Sequence, residues 1–451
     1  MKKTFIPPTE SKDELSKPQF GEKERASNHD YLCTDLAGVK LKNPFLPGAS
    51  ELALDAPSAA RLIKAGVGAV VTKSFTSASH MRIRVRPYQF SLAKFGSEFS
   101  SCGSFMSLSA PHVEDLDTIL KKNLPGMAII CRASQIPLIV TFYESFERPG
   151  QWAETAMRFE NAGADLIELN FSSPSNKEEM EEHPEISSHI ISSVRKKVRV
   201  PVGIKISPTV EPLKNLVKNW VNAGASFITA HNAPSGIFID VEREEPYGAP
   251  SVGGYLIGRP FLPWSLARVV QIKKAAPDIP VIGVGGIFEW QDALQYILCG
   301  CSAVEICTGA YSKGLNIFKN IEKGVTAWMR RKGYSTIEAF QGKALPLITV
   351  SKELKSKEKA PFMLPPEGPY KPRVESSLCN LCFRCGKRCL YGVFHIKNKK
   401  LIINENKCWS CGFCISLCPK KALVLVDRIT GETIWDGEGT AISFKSSRQS
   451  P

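Results

Sequence analysis

A chain of 451 residues, 43% hydrophobic and 23% charged, is long enough for more than one buried core and too apolar to be disordered. Its net charge of +14 leaves nucleic acid, an anionic surface or an acidic partner open, whereas no apolar run reaches the roughly eighteen residues that a membrane-spanning helix needs. Fourteen cysteines without a secretory apolar stretch near the start point to metal ligation in a cytoplasmic protein, not to disulfides.

Residues 1–33 are polar and read as a tail. Beyond them, short β-branched runs ending in Gly, Ser, Thr or Asn alternate with helical patterns, the signature of βα units. The strand candidates are 45–50, 69–74, 137–142, 165–170, 202–207, 226–232, 280–285 and 303–308. Eight such units predict an α/β fold, a closed (β/α)8 TIM barrel over 34–344, with a doubly wound open sheet as the alternative. Runs such as Leu138-Ile139-Val140 are apolar without alternation, as parallel strands covered on both faces are. Residues 345–377 turn to Lys, Pro and Glu, with Pro361, Pro365, Pro366, Pro369 and Pro372 opposing regular structure, and read as a linker. A cysteine module follows over 378–427, then a tail over 428–451.

The module holds two runs, Cys379-x2-Cys382-x2-Cys385-x3-Cys389 and Cys408-x2-Cys411-x2-Cys414-x3-Cys418-Pro419. Three thiolates at this spacing wrap three corners of one cubane, and the fourth cysteine of each run serves the other cluster. A small ferredoxin-like domain with two 4Fe-4S clusters is therefore expected, one held by Cys379, Cys382, Cys385 and Cys418, the other by Cys408, Cys411, Cys414 and Cys389. Zinc, the alternative, takes two CxxC pairs and would leave a third cysteine over in each run. Eleven Lys and Arg between Lys371 and Lys421 face only Glu375 and Glu405, an excess that offsets the negative charge of ligated clusters.

A pair of clusters alone needs no barrel, so the barrel is expected to hold the catalyst. Active sites of such barrels lie at the C-terminal strand ends, with phosphate commonly bound after strands seven and eight. Gly283-Val284-Gly285-Gly286 and Thr308-Gly309 stand there and offer bare backbone NH groups, although glycines also serve tight turns. Lys73 closes the second strand candidate and Lys205 lies inside the fifth. A lysine in a buried strand needs a partner, either the N1–O2 edge of a reduced flavin or a salt bridge.

Thr72-Lys73-Ser74, Glu168-Leu169-Asn170-Phe171-Ser172-Ser173-Pro174, Lys205-Ile206-Ser207-Pro208, Asn232, Gly258, Gly285-Gly286-Ile287 and Thr308-Gly309 resemble, in order and spacing, the dihydroorotate dehydrogenase family. The trailing cysteine module makes the chain similar to members that join an FMN barrel to ferredoxin-type clusters, such as the iron–sulfur subunit of bacterial dihydropyrimidine dehydrogenases. The resemblance implies FMN lined by Ala49, Lys73, Ser74, Asn170 and Lys205, with phosphate at Gly258, Gly285, Gly286, Thr308 and Gly309. It implies Ser173 as the proton-transfer residue with Lys73 beside it, and Asn170, Asn232 and Ser175 as contacts to a small cyclic, amide-containing substrate. Ser173 stands where cluster-bearing relatives carry cysteine, Ser175 replaces an asparagine, and the 102–108 stretch lacks another. The expected substrate is therefore a ring related to dihydroorotate and not dihydroorotate itself.

These features lead to an FMN- and iron–sulfur-dependent oxidoreductase acting on a CH–CH bond of a pyrimidine-like ring. A redox partner is expected, either an NAD(P)H/FAD subunit or a ferredoxin, because no Gly-x-Gly-x-x-Gly opens a βαβ unit. The resemblance also implies a homodimer or hetero-oligomer. The alternatives are an FMN-dependent RNA reductase of the dihydrouridine type, disfavoured by the lack of an aromatic and basic stripe, and a non-catalytic electron-transfer subunit.

Overall fold

The computed structural model describes residues 30–77, 89–91, 104–107, 114–172, 183–246, 254–348 and 369–439. The chain divides into two compact units, Met1–Ile348 and Thr349–Pro451.

Eight parallel strands organise the first unit: Phe45–Pro47, Val70–Val71, Leu138–Phe142, Leu166–Asn170, Val202–Lys205, Phe227–Thr229, Val281–Val284 and Ala303–Ile306, barrel strands one to eight. Every one falls inside a run read as strand from the sequence. Neighbours in the chain pair side by side from strand two to strand eight, and strand one pairs with strand eight. Such a circular order excludes the doubly wound alternative. Strands one and two meet where Gly68 N donates to Phe45 O at 2.9 Å. A β-carbon on Gly68 would lie 1.9 Å from Asn43 O, so the seam requires glycine.

Helices cover the outside, each started and stopped by local chemistry. Ala56–Ala65, for example, begins in a capping box between Asp55 and Ser58 and ends at Gly66 with φ +96°. Two further features were not anticipated. A hairpin of Thr34–Leu36 and Val39–Leu41 closes the N-terminal end of the barrel, where Leu36 and Leu41 pack with Leu46, Val71, Ile139, Leu166, Phe227 and Ile282. A four-stranded antiparallel sheet, ordered Ser235–Gly236, Gly254–Gly258, Ser104–Ser107, Gln89–Ser91, joins the loops after strands two and six.

The barrel interior changes character along its axis. Inward positions recur every two residues, running from Leu166 to Glu168 to Asn170, from Phe227 to Thr229 to His231, and from Ala303 to Glu305 to Cys307. Gly203 makes room for Phe227, whose ring would lie 2.2 Å from a β-carbon there, and two residues later the same strand presents Lys205. The closed end is thus apolar and the C-terminal end carries charge.

The second unit is built on an antiparallel sheet ordered Tyr370–Val374, Leu423–Asp427, Thr433–Trp435, with a hairpin of Phe394–Lys397 and Lys400–Ile403. This corrects the sequence reading of 345–377 as linker and 428–451 as tail, since each contributes a strand to the cluster-bearing unit. Pro372 is tolerated because its strand lies at the sheet edge, where a missing N–H leaves no ladder bond unmade. Among the described residues no helix is long and apolar enough to cross a membrane.

Candidate active site and cluster module

Lys73 follows strand two and turns into the barrel, its Nζ 3.3 Å from Glu51 Oε1. Burial lowers its pKa, opposed by Glu51 and reinforced by the ammonium of Lys205. Lys205 ends strand five and its Nζ donates to Glu305 Oε2 at 2.8 Å. Burial alone would lower the Lys205 pKa, but the carboxylates of Glu305 and Glu168 outweigh it and hold the pKa above the ordinary lysine range. The two lysines converge on one region, and each already has a carboxylate partner. Of the two kinds of partner the sequence leaves open for these buried cations, the salt bridges are formed, with Glu51 and Glu305.

Ser74, Asn170 and Asn232 are joined through a residue the sequence reading had passed over. Asn170 Nδ2 donates to Ser74 Oγ at 3.0 Å, and Asn170 Oδ1 accepts from the backbone N of Ser172 at 3.1 Å and from the Ser172 hydroxyl. Asn232 Nδ2 donates to Ser172 Oγ at 2.7 Å. The asparagines expected to read a substrate are therefore fixed by Ser172, and each side-chain amide keeps a second hydrogen for a ligand. Ser173 and Ser175 lie outside the described residues, as does Cys102.

The glycines of the expected phosphate seat are packed against one another's loops. A β-carbon at Gly286 would lie 2.7 Å from Leu262, four residues beyond Gly258, and one at Gly309 would lie 2.3 Å from Ile287 O. Gly285 and Gly286 have φ of +107° and +71°, accessible to glycine at little cost. The loops after strands seven and eight and the start of helix Leu262–Ala275 thus come together, and Thr308 and Gly309 open a helix whose first N–H groups have no partner within it. Together with the buried lysines, this donor set fits a phosphate and a flavin edge. Ala49 packs lower, its NH approaching Glu305 without completing a hydrogen bond.

His231 faces Asn232 O at 2.7 Å through Nδ1, and burial lowers its pKa to about 4. The folded value lies below the unfolded one, so the associated stability is present above the ordinary histidine pKa and lost as pH falls. Between pH 7 and pH 5 the parent is expected to lose about 2 kcal/mol more than His231→Gln, measured by urea unfolding at both pH values. Equal losses would place the charged form of His231 in the folded barrel.

In the second unit the two cysteine runs adopt matching backbones. Leu381 and Phe383 in the first, and Ser410 and Gly412 in the second, all have positive φ of 57–76°. Alternating left-handed residues curl each run so that its cysteines face one side. Cys379, Cys382, Cys385 and Cys418, the set that the spacing assigns to one cluster, line a common hollow. Cys389 lies near Cys408 and Cys414, the other set. Burial pushes the Cys414 thiol up to about 12, aided by Cys408 and Cys411.

The residues missed from the sequence are Glu51, Glu168, Ser172 and Glu305. Glu168 and Glu305 had the same signal as Lys205, an ionisable residue inside an apolar strand run.

The family model for dihydroorotate dehydrogenase matches residues 31–329, and that for a 4Fe-4S binding domain matches 401–424. The chain is 30% identical over 326 residues to the catalytic subunit of dihydroorotate dehydrogenase B (NAD(+)) from Methanosarcina mazei, covering 70% of this chain and 96% of that one. The subunit of the same name from Pyrococcus abyssi is 29% identical over 323 residues, covering 70% and 99%. That from Thermococcus kodakarensis is 34% identical over 212 residues, covering 46% and 68%. With its whole barrel matched in this way, the chain belongs to the dihydroorotate dehydrogenase family, flavin-dependent oxidoreductases acting on CH–CH bonds, and carries a 4Fe-4S binding domain after the barrel.

Proposed function

We propose that this chain is the FMN- and iron–sulfur-bearing subunit of an oxidoreductase that moves two electrons and two protons at a CH–CH bond of a small, amide-containing ring of the pyrimidine class. Two 4Fe-4S clusters pass the electrons to or from a redox partner. The observation that carries the reading is the convergence of Lys73, Lys205, Asn170 and Asn232 at the charged end of the barrel. The relatives' name, a catalytic subunit of an NAD(+) enzyme, supports a nucleotide-binding partner subunit over a free ferredoxin.

FMN, when bound, supplies hydride exchange at the ring carbon. The chain's own residues do the rest. Lys205 would stabilise negative charge at the flavin edge, and Lys73 would serve the space shared by cofactor and ring. Asn170 and Asn232 present amide hydrogens to ring carbonyls, oriented by Ser172. Ser173 gives or takes the proton at the neighbouring carbon, the task of a positioned acid or base.

Anaerobically purified protein is expected to hold FMN and about eight iron and eight sulfide per chain. Double variants test the ligand exchange between runs. Cys379→Ala with Cys418→Ala is expected to retain about four iron, because both serve one cluster, whereas Cys408→Ala with Cys418→Ala is expected to retain almost none. The reverse result would assign each run to its own cluster. Released cofactor identified as FAD, or a protein with clusters and no flavin turnover, would overturn the catalytic reading.

A further inference from the structure

The middle layer of the barrel holds more negative than positive side chains. Lys205, Glu168 and Glu305 are 4%, 0% and 1% exposed, and Lys205 faces both carboxylates. Glu305 Oε2 accepts from Lys205, and Glu168 Oε2 accepts from the Thr229 hydroxyl. The other oxygen of each carboxylate, Oε1, is buried with no hydrogen-bond partner. A bare carboxylate oxygen in such an interior is costly, while a protonated carboxyl presents an O–H and no net charge.

The remaining titratable groups do not balance the layer. Lys73 has Glu51 as its partner. His231 is held neutral by burial, and burial also raises the Cys307 thiol, the group next along strand eight that faces Lys205. One ammonium therefore serves two carboxylates. Burial and the charge of Glu168 both raise the Glu305 pKa against the pull of Lys205.

We propose that Glu305 holds a proton beside Lys205 and the Glu168 carboxylate, and that this layer takes up a second proton when the flavin is reduced and returns it on reoxidation. The idea rests on the FMN reading above, through Lys205. With one carboxyl protonated, the layer is neutral. Two electrons and one proton taken up by bound FMN would leave one negative charge near Lys205, and that charge would draw on the lysine's field so that the layer binds a proton from solvent. Reoxidation reverses both transfers, so charge and protons balance over the cycle. Glu168 and Glu305 are positioning residues for charge, acting through Lys205.

The full chain, loaded with FMN and labelled with isotopic glutamate, is reduced with dithionite and followed by infrared difference spectroscopy in water and heavy water. The expected result is a protonated-glutamate carbonyl band in the oxidised protein that grows on reduction and shifts with both isotopes. It is lost in Glu305→Gln and lost or displaced in Glu168→Gln. Glu144, a carboxyl also raised by burial, is the control, and Glu144→Gln leaves the redox-linked change intact. The pH dependence of the flavin midpoint potential is expected to be shallower in Glu305→Gln than in the parent. A flavin-loaded parent with no redox-linked glutamate band, or with the same band in both Gln variants, overturns the proposal. Should the protein bind no FMN, the band of the oxidised protein still decides: one lost in Glu305→Gln and kept in Glu144→Gln upholds the protonated layer and removes the flavin reading, and a band unchanged in Glu305→Gln, or none, removes the layer.

Discussion

Replacing Ser173 by alanine is expected to slow substrate-driven flavin reduction or reoxidation by roughly two to four powers of ten, the usual worth of a positioned acid or base. The residue follows Ser172 directly, and Ser172 is clamped between Asn170 and Asn232, so the chain leaving strand four starts from a fixed point. An alcohol titrates far above neutral pH and needs a relay to act as acid or base. Electron exchange with an artificial dye is expected to survive, since it bypasses the ring carbon. Ser173→Cys is expected to keep or raise activity near neutral pH, because a thiol titrates closer to that range. Stopped-flow reduction at several pH values measures all three. Turnover of Ser173→Ala at the parent rate would remove this residue from proton transfer and make Cys102 the next candidate.

Lys205→Ala is expected to destabilise the barrel by roughly 3–5 kcal/mol, because it leaves Glu305 buried without its cation. From the sequence alone, a Lys205 that met only a flavin would be expected to matter more for flavin reduction than for folding. The difference lies in the partner: a lysine facing only cofactor can be removed at small cost to the empty barrel, but a lysine within 2.8 Å of a fully buried carboxylate cannot. Adding Glu305→Gln to a Lys205→Met change removes the ion pair while Glu168 keeps its Thr229 hydrogen bond, and is expected to recover much of the stability, a strong departure from additivity. That double variant separates the two roles of Lys205, since its barrel should fold while flavin reduction stays impaired. Urea unfolding followed by the buried Trp152 and Trp220 provides the readout. A Lys205→Ala barrel within about 0.5 kcal/mol of the parent would mean that Glu305 is already neutral without its lysine.

The eight barrel strands and the presence of a 4Fe-4S binding domain were legible in the sequence because each is encoded locally, the strands by short apolar runs between turn residues and the domain by cysteine spacing. The circular strand order followed from their number. Strand lengths were overestimated, since runs such as 303–308 pass from strand into the helix beginning at Thr308. The strands at Tyr370–Val374 and Thr433–Trp435 were missed because their only support is pairing with Leu423–Asp427, about fifty residues from one and adjacent to the other, and a proline inside an edge strand reads locally as a break. What only the tertiary structure decided is the polarity of the barrel interior. Lys205 and Glu305 are 100 residues apart in the chain, and Glu168 and Thr229 are 61 apart. Composition places each of these residues in a strand, but strand register sets which of them share a layer, and in a low-dielectric interior that pairing fixes where charge and protons reside.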